Sequence, residues 1–272
     1  MYYQLFNDTK IYKFYNINHL DTLDNKSNIE LLNCYDNKLT ELPELPINLN
    51  SLYCHNNQLT QLPKLPDSLI ELDCTFNELT HLPQLPHNLI ELYCSYNKLT
   101  ELPQLPNNLK YLYCNNNQLT NLPKLPINLK KIYCYSNQLT ELPHLPDSLT
   151  NLNCNTNQLN KLPELPNNLK FICCYNNLLT QLPKLPDSLI ELYCNNNLLT
   201  QLPQLPNNLK VIRCYNNSKN LHKYIIYCKS LYKYKKYNKY IYMDTLNELS
   251  NYTIKNYYYF GIIKYYNTKK NL

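Results

Sequence analysis

The apolar positions of this chain recur on a fixed period. Leu49, Leu52, Cys54, Leu59, Leu62 and Leu65 occupy six places of a twenty-residue stretch. The same places are filled by apolar residues again from Leu69, Leu89, Leu109, Leu129, Leu149, Leu169 and Leu189. A first copy starts at Ile29 and a broken tenth at Leu209, so nine full copies run in succession. Self-similarity of this kind is the mark of a solenoid, in which each unit buries its apolar face against the next. Positions are counted here from the first Leu of each copy, so that Leu49 is position one.

Within a copy, residues 51–55 alternate. Leu52 and Cys54 are expected to point inward, and Ser51, Tyr53 and His55 outward, which is strand periodicity. Stacked copies place these strands in a parallel sheet about 4.8 Å apart. The return leg reads Leu-Pro-x-Leu-Pro, and all 18 prolines of the chain lie in these pairs. Proline fixes φ and removes an amide donor, so the leg is expected to be neither an inner strand nor a helix. Polyproline-II geometry with both leucines inward suits it. One copy alone buries too little to offset the entropy of ordering twenty residues, so the array must hold together through its neighbours.

Asparagine recurs at 37, 57, 77, 97, 117, 137, 157, 177, 197 and 217, that is, Asn37, Asn57, Asn77, Asn97, Asn117, Asn137, Asn157, Asn177, Asn197 and Asn217. Each is expected to turn the chain after its strand. Its amide can satisfy backbone groups freed at the bend, forming an internal ladder. Asn also tolerates unusual turn geometry, which matters in a chain with one glycine.

The pattern LxxLxCxxNxLTxLPxLPxx resembles the leucine-rich repeat. Its twenty-residue, LPxLP-ending form is similar to that of bacterial type III secreted effectors. The resemblance covers residues 29–217. It implies a curved horseshoe with a parallel β-sheet on the concave face, a polyproline-II or irregular convex side, and protein ligands bound in the hollow. There are two departures. Cys stands at position six, where the family usually has an aliphatic residue. Some of those effectors also carry a large helical ubiquitin-ligase domain, for which the residues after 217 are too few.

Three segments follow from this. Residues 1–28 supply Leu5, Phe6, Ile11, Phe14, Ile17, Leu20 and Leu23 for an N-terminal cap; residues 29–217 form the array. Residues 218–272 form a C-terminal cap or tail, since the pattern fails at Lys219. There Leu221, Ile225, Cys228, Leu231 and Tyr232 fit helical spacing, and Asp244 suits the start of a short helix through Glu248.

Composition sharpens this picture at three points. The chain has no Ala or Trp, one Arg and one Val, but 28 Tyr. Part of the Tyr and Asn excess is what an A/T-rich genome produces. Net charge is +6, yet residues 218–272 hold 11 Lys against Asp244 and Glu248. The basic stretch interleaves Lys with Tyr, a combination suited to a polyanion, either nucleic acid or an anionic membrane. The first twenty residues hold no signal-peptide core, and no run approaches a membrane span. A cytoplasmic protein is expected, and a host cytoplasm if the effector resemblance extends to delivery.

Ten of the 12 cysteines fall on position six, where thiols pack as small hydrophobes. Disulfides or metal are the alternative for such a count. Cys173 stands apart, outward at position five, with no His, Lys or Arg among its outward neighbours on adjacent strands to activate it. His55 is expected to be alone on the concave face, and His81, His87 and His144 fall on unrelated return-leg places. No catalytic or metal-ligand constellation emerges, and no cofactor is implied.

Function is expected on the outward strand positions. Position five gives Tyr53, Tyr93, Tyr113, Tyr133, Tyr193 and Arg213; position seven gives Tyr135, Tyr175 and Tyr215. Tyr and Arg are frequent interface anchors, although Tyr also favours strands for its own sake. The expected function is non-catalytic binding of a protein partner on this face, a host protein if the chain is effector-like or virus-encoded. Polyanion binding through residues 218–272 is the alternative.

Overall fold

The computed structural model describes residues 2–5, 11–13, 17, 26–218, 221 and 240–241. Thirteen short strands are found among them. The two N-terminal strands are β1 (Tyr2–Leu5) and β2 (Ile11–Lys13). The repeat strands are β3 (Ile29–Asn33), β4 (Ser51–Tyr53), β5 (Glu71–Asp73), β6 (Glu91–Tyr93), β7 (Tyr111–Tyr113), β8 (Lys131–Tyr133), β9 (Asn151–Asn153), β10 (Phe171–Cys173), β11 (Glu191–Tyr193) and β12 (Val211–Arg213). The last is β13 (Tyr240–Ile241). All lie in one sheet, ordered β2-β1-β3 and then sequentially to β13.

From β3 to β13 every neighbour is parallel, and equivalent repeat positions pair directly, as Leu52 with Leu72 and Tyr53 with Asp73. A one-residue slip would turn each central Leu out to solvent, so burial fixes the register. At the N-terminal end β1 pairs antiparallel with both β2 and β3. At the other end a strand from the non-repeating stretch, β13, continues the parallel ladder, a feature that no sequence pattern announces.

The core is a column for each repeat position. Leu49, Leu52, Cys54 and Leu59 are completely buried, and the return-leg Leu62 and Leu65 nearly so. The return legs carry neither helix nor strand, only a turn at positions nineteen and twenty, as the proline pairs require.

Nine ladder asparagines share one set of bonds. Asn57 Oδ1 accepts from Leu39 N at 2.9 Å, and its Nδ2 donates to the carbonyls of Cys34 and Cys54 at 3.0 Å each. The set recurs through Asn217, whose Nδ2 reaches Cys194 O and Cys214 O. Asn37, with no full repeat before it, donates to Tyr35 O instead. Each amide thereby stitches its own turn to the preceding one.

The expectation that these asparagines adopt the unusual turn geometry is corrected. The left-handed residue is the one before, at position eight: Asp36, Asn56, Phe76, Tyr96, Asn116, Ser136, Thr156, Asn176, Asn196 and Asn216, with φ of 50–57°; in the first copy Lys38 is left-handed as well, with φ of 56°. Closing the bend while position nine points its amide inward forces the preceding residue into that region, whatever its side chain. For a β-branched residue this geometry is costly. Thr156→Asn is therefore expected to raise stability by about 1 kcal/mol, read as an increase in the urea midpoint. An unchanged or lower midpoint would mean the turn carries no such strain.

A second ladder escaped the sequence reading. Position twenty is always Asn or Ser after the first repeat begins. Asn88, Asn108 and Asn128 donate to the carbonyls of Asp67, His87 and Asn107, and Ser68 and Ser148 to those of Leu49 and Leu129. The restriction of this one place to Asn or Ser was its signal.

Of the proposed cap residues, Ile17 and Leu221 are buried. Phe6, Phe14, Leu20, Leu23, Ile225, Cys228, Leu231, Tyr232 and residues 244–248 lie outside the described residues, as do the side chains of Leu5 and Ile11.

Candidate functional site

The open face of the sheet is built from positions three, five and seven of β3–β12. Each of β4–β12 is only three residues long, buried at its centre and half-exposed at its flanks in most repeats. Position five therefore forms a column across the sheet, with side chains set by the strand register.

The column is broken into groups. Tyr93, Tyr113 and Tyr133 stack face to face, with ring centroids 4.7 and 4.9 Å apart. Burial raises the phenol pKa values of Tyr113 and Tyr133. Asp73 separates Tyr53 from this trio; Asn153 and Cys173 separate Tyr193. Tyr193 packs against Phe171 and lies under Arg213, whose guanidinium carbon is 5.5 Å from its ring centroid. At position seven, Tyr135, Tyr175 and Tyr215 alternate with buried Asn155 and Asn195, so they form no continuous stripe.

Glutamates at position three fix several of these rings, which sequence reasoning missed. Tyr53 OH donates to Glu71 at 2.7 Å, Tyr93 OH to Glu91 at 2.5 Å and Tyr193 OH to Glu191 at 2.9 Å. For Tyr93 and Tyr193 the signal was Glu-Leu-Tyr, which puts carboxylate and phenol two residues apart on one strand face, whereas Tyr53 reaches across to Glu71 on the next strand. For Tyr53, burial is the main cause of a raised pKa and the Glu71 carboxylate adds to it. Lys131 sits 5.8 Å from the Tyr111 ring centroid.

His55 is not alone, a second correction. It stacks on Tyr35 with centroids 4.8 Å apart, and its Nδ1 lies 3.2 Å from Asp73 Oδ2. Parallel register made the pair, because position seven of one strand reaches position five of the next. Asp73 also accepts from Thr75 N through its other oxygen, at 3.0 Å, and is almost wholly buried.

Cys173 occupies its outward position but is 5% exposed. Asn155 Nδ2 lies 3.6 Å from its sulfur. Burial pushes its pKa up to about 12, outweighing the downward pull of Asn155 and of Arg213, two strands away. A thiol so held is not a nucleophile near neutral pH. The position-six thiols are buried and in no disulfide among the described residues. Burial drives Cys34 and Cys134 to about 12 and raises Cys54, Cys94, Cys114, Cys154 and Cys194 well above their ordinary range. Among the described residues no group of three or more His, Cys, Asp or Glu is placed to hold a metal ion, and no helix is long and apolar enough to cross a membrane.

Comparison with known proteins agrees with this architecture. A family model described as leucine-rich repeats in two copies matches residues 87–126. No curated protein sequence matches. Among solved structures, YopM, a leucine-rich effector protein from Yersinia pestis, is 38% identical with a TM-score of 0.62, covering 69% of this chain and 61% of its own. A Shigella effector leucine-rich repeat domain is 34% identical with a TM-score of 0.53, covering 61% of this chain and 77% of its own. InlJ from Listeria monocytogenes, whose functional domain includes a cysteine ladder, is 27% identical with a TM-score of 0.61, covering 72% and 50%. This chain thus spans less than two thirds of the YopM and InlJ chains. The twenty-residue period, the sequential parallel sheet and these likenesses together mean that the chain belongs to the leucine-rich repeat family.

Proposed function

We propose that this protein binds a protein partner on its open, concave sheet face and performs no chemistry of its own. Leucine-rich repeats are a common protein–protein interaction module, and proteins of the family are typically non-catalytic scaffolds. The observation that carries the reading is the Tyr93–Tyr113–Tyr133 stack, three rings held in register on the outward face of the sheet. Stacked rings on a rigid sheet offer large contact area with little side-chain entropy left to lose, which is what an interface anchor requires. The stiff backbone ladders beneath keep the surface preorganised.

The test is affinity capture from cell lysate with the wild type and with a Tyr93→Ala, Tyr113→Ala, Tyr133→Ala variant. The variant should stay folded, because these rings lie outside the core column, yet bind the captured protein at least about tenfold more weakly, or roughly 1.4 kcal/mol. Equal recovery by both proteins would remove the stack from the interface. Recovery of nucleic acid or anionic lipid by both alike would favour the second reading, in which the Lys/Tyr-rich residues 218–272 bind a polyanion.

A further inference from the structure

Position eight carries Asp, Asn, Ser or Thr in every repeat except two, which carry Phe76 and Tyr96. A bulky ring gains nothing from a left-handed backbone, and neither ring belongs to the core. Phe76 is 44% exposed and Tyr96 half-buried. They stack on each other with centroids 4.1 Å apart. Both follow directly on position seven, so the pair stands at the rim of the open face. The charge beside it is negative. Glu71 of β5 and Glu91 of β6 are register partners on neighbouring strands, and like charges side by side across strands oppose the sheet. Each accepts from a tyrosine OH, but a neutral donor leaves the charge in place. Asp73 is engaged by His55, and Lys98 by Glu78. Residues 69–108 hold Glu71, Asp73, Glu78, Glu91 and Glu101 against Lys98.

We infer that the Phe76–Tyr96 pair and the adjoining Glu71 and Glu91 receive an arginine-bearing basic segment of the protein partner, an assignment that rests on the concave-face reading above. A guanidinium suits both features: its fork matches a carboxylate and its flat face stacks on an aromatic ring. From position three to position eight the chain advances five residues, at most about 18 Å. A short extended segment with two arginines covers that span. One arginine meets the two carboxylates and relieves their repulsion, and the other lies on the exposed ring of Phe76. A metal ion does not fit, because among the described residues no three acids converge on one position. The local charge opposes an acidic occupant.

The probe is a fluorescein-labelled hexa-arginine peptide, titrated into the full chain and followed by anisotropy beside hexalysine and hexaglutamine counterparts. Saturable binding is expected with hexa-arginine, about tenfold weaker binding with hexalysine and none with hexaglutamine. Glu71→Gln with Glu91→Gln should weaken hexa-arginine about tenfold. Phe76→Asn with Tyr96→Asn should weaken it about fivefold. Circular dichroism should stay unchanged in that variant, since Asn fills position eight in five other repeats. Glu191→Gln is the control. Strand β11 lies five strands from β6, about 24 Å at strand spacing and beyond the reach of screened charge, so binding should stay within about twofold. No saturable binding, hexalysine or hexaglutamine binding as tight as hexa-arginine, undiminished binding by either double variant, or an equal loss from Glu191→Gln would each overturn the assignment. A captured partner that is lost by the triple tyrosine variant yet retained by both double variants would discard this site and keep the binding face. Hexa-arginine binding that depends on both pairs, alongside full partner retention by the tyrosine variant, would keep the site and discard the ring stack as the anchor.

Discussion

Raising the pH from about 8 to about 10.5 is expected to unfold the array, far more steeply than ordinary surface titration would. The cause is the buried thiol column. Burial raises the pKa of Cys34, Cys54, Cys74, Cys94, Cys114, Cys134, Cys154, Cys173, Cys174 and Cys194 above the ordinary 9.0. In the folded chain Cys34, Cys134 and Cys173 stay protonated up to about 12, and burial holds the others protonated above their ordinary range. In the unfolded chain they ionise from 9.0 upward. The folded state therefore binds more protons through this window, so its stability falls as pH rises. The stabilisation is fully present below 9.0 and is lost progressively toward the folded values. Each thiol contributes a slope of about 1.4 kcal/mol per pH unit once its unfolded form is ionised. Ten such groups multiply that slope wherever repeats unfold together. The raised Tyr53, Tyr113 and Tyr133 act in the same direction above their ordinary 10.0. Urea midpoints by circular dichroism, taken alongside thiolate absorbance, would check this. Thiolate signal appearing while the sheet remains intact would show that the column is open to water.

The second large effect is expected at the asparagine ladder. Asn177 is buried, accepts from Leu159 N at 3.0 Å and donates to the carbonyls of Cys154 and Cys174 at 3.1 Å each. Asn177→Ala leaves one backbone donor and two acceptors without this partner inside the array. At roughly 1–3 kcal/mol for each orphaned group, the loss should reach about 4 kcal/mol. Asn177→Asp keeps the acceptor but turns a carboxylate oxygen toward two carbonyls, and should be at least as damaging. Denaturant unfolding of both variants tests the point. A loss under about 1 kcal/mol would mean that water replaces the amide. Because Asn177 ties one repeat to the next, hydrogen exchange should also quicken on both sides of the substitution, at residues 154–159 and 174–179.

Much of the architecture was legible because the chain states it ten times. A period of twenty, with Leu52 and Cys54 alternating and two prolines closing each copy, leaves few alternatives to a parallel sheet with a helix-free return leg. The places where reading failed share one character. The left-handed residue sits at Thr156 and not Asn157 because ring closure of the backbone, and not side-chain preference, chooses it. His55 meets Asp73 because register brings position seven beside position five of the next strand, a relation invisible in any single copy. Strand β13 comes from a stretch without the repeat, where no period could point to it.

The sequence by itself determined the period, the inward columns of leucine and cysteine, the proline-bound return legs and the family. These follow from hydrophobic burial and backbone chemistry that act within one copy and its neighbour. The tertiary structure alone decided which surface groups act together: the three-ring stack, the Glu–Tyr couples, the buried Cys173 and the unpaired Nε of Arg213. The physical reason is that burial repeats identically along the chain, whereas contacts on the open face depend on which different residues the register places side by side.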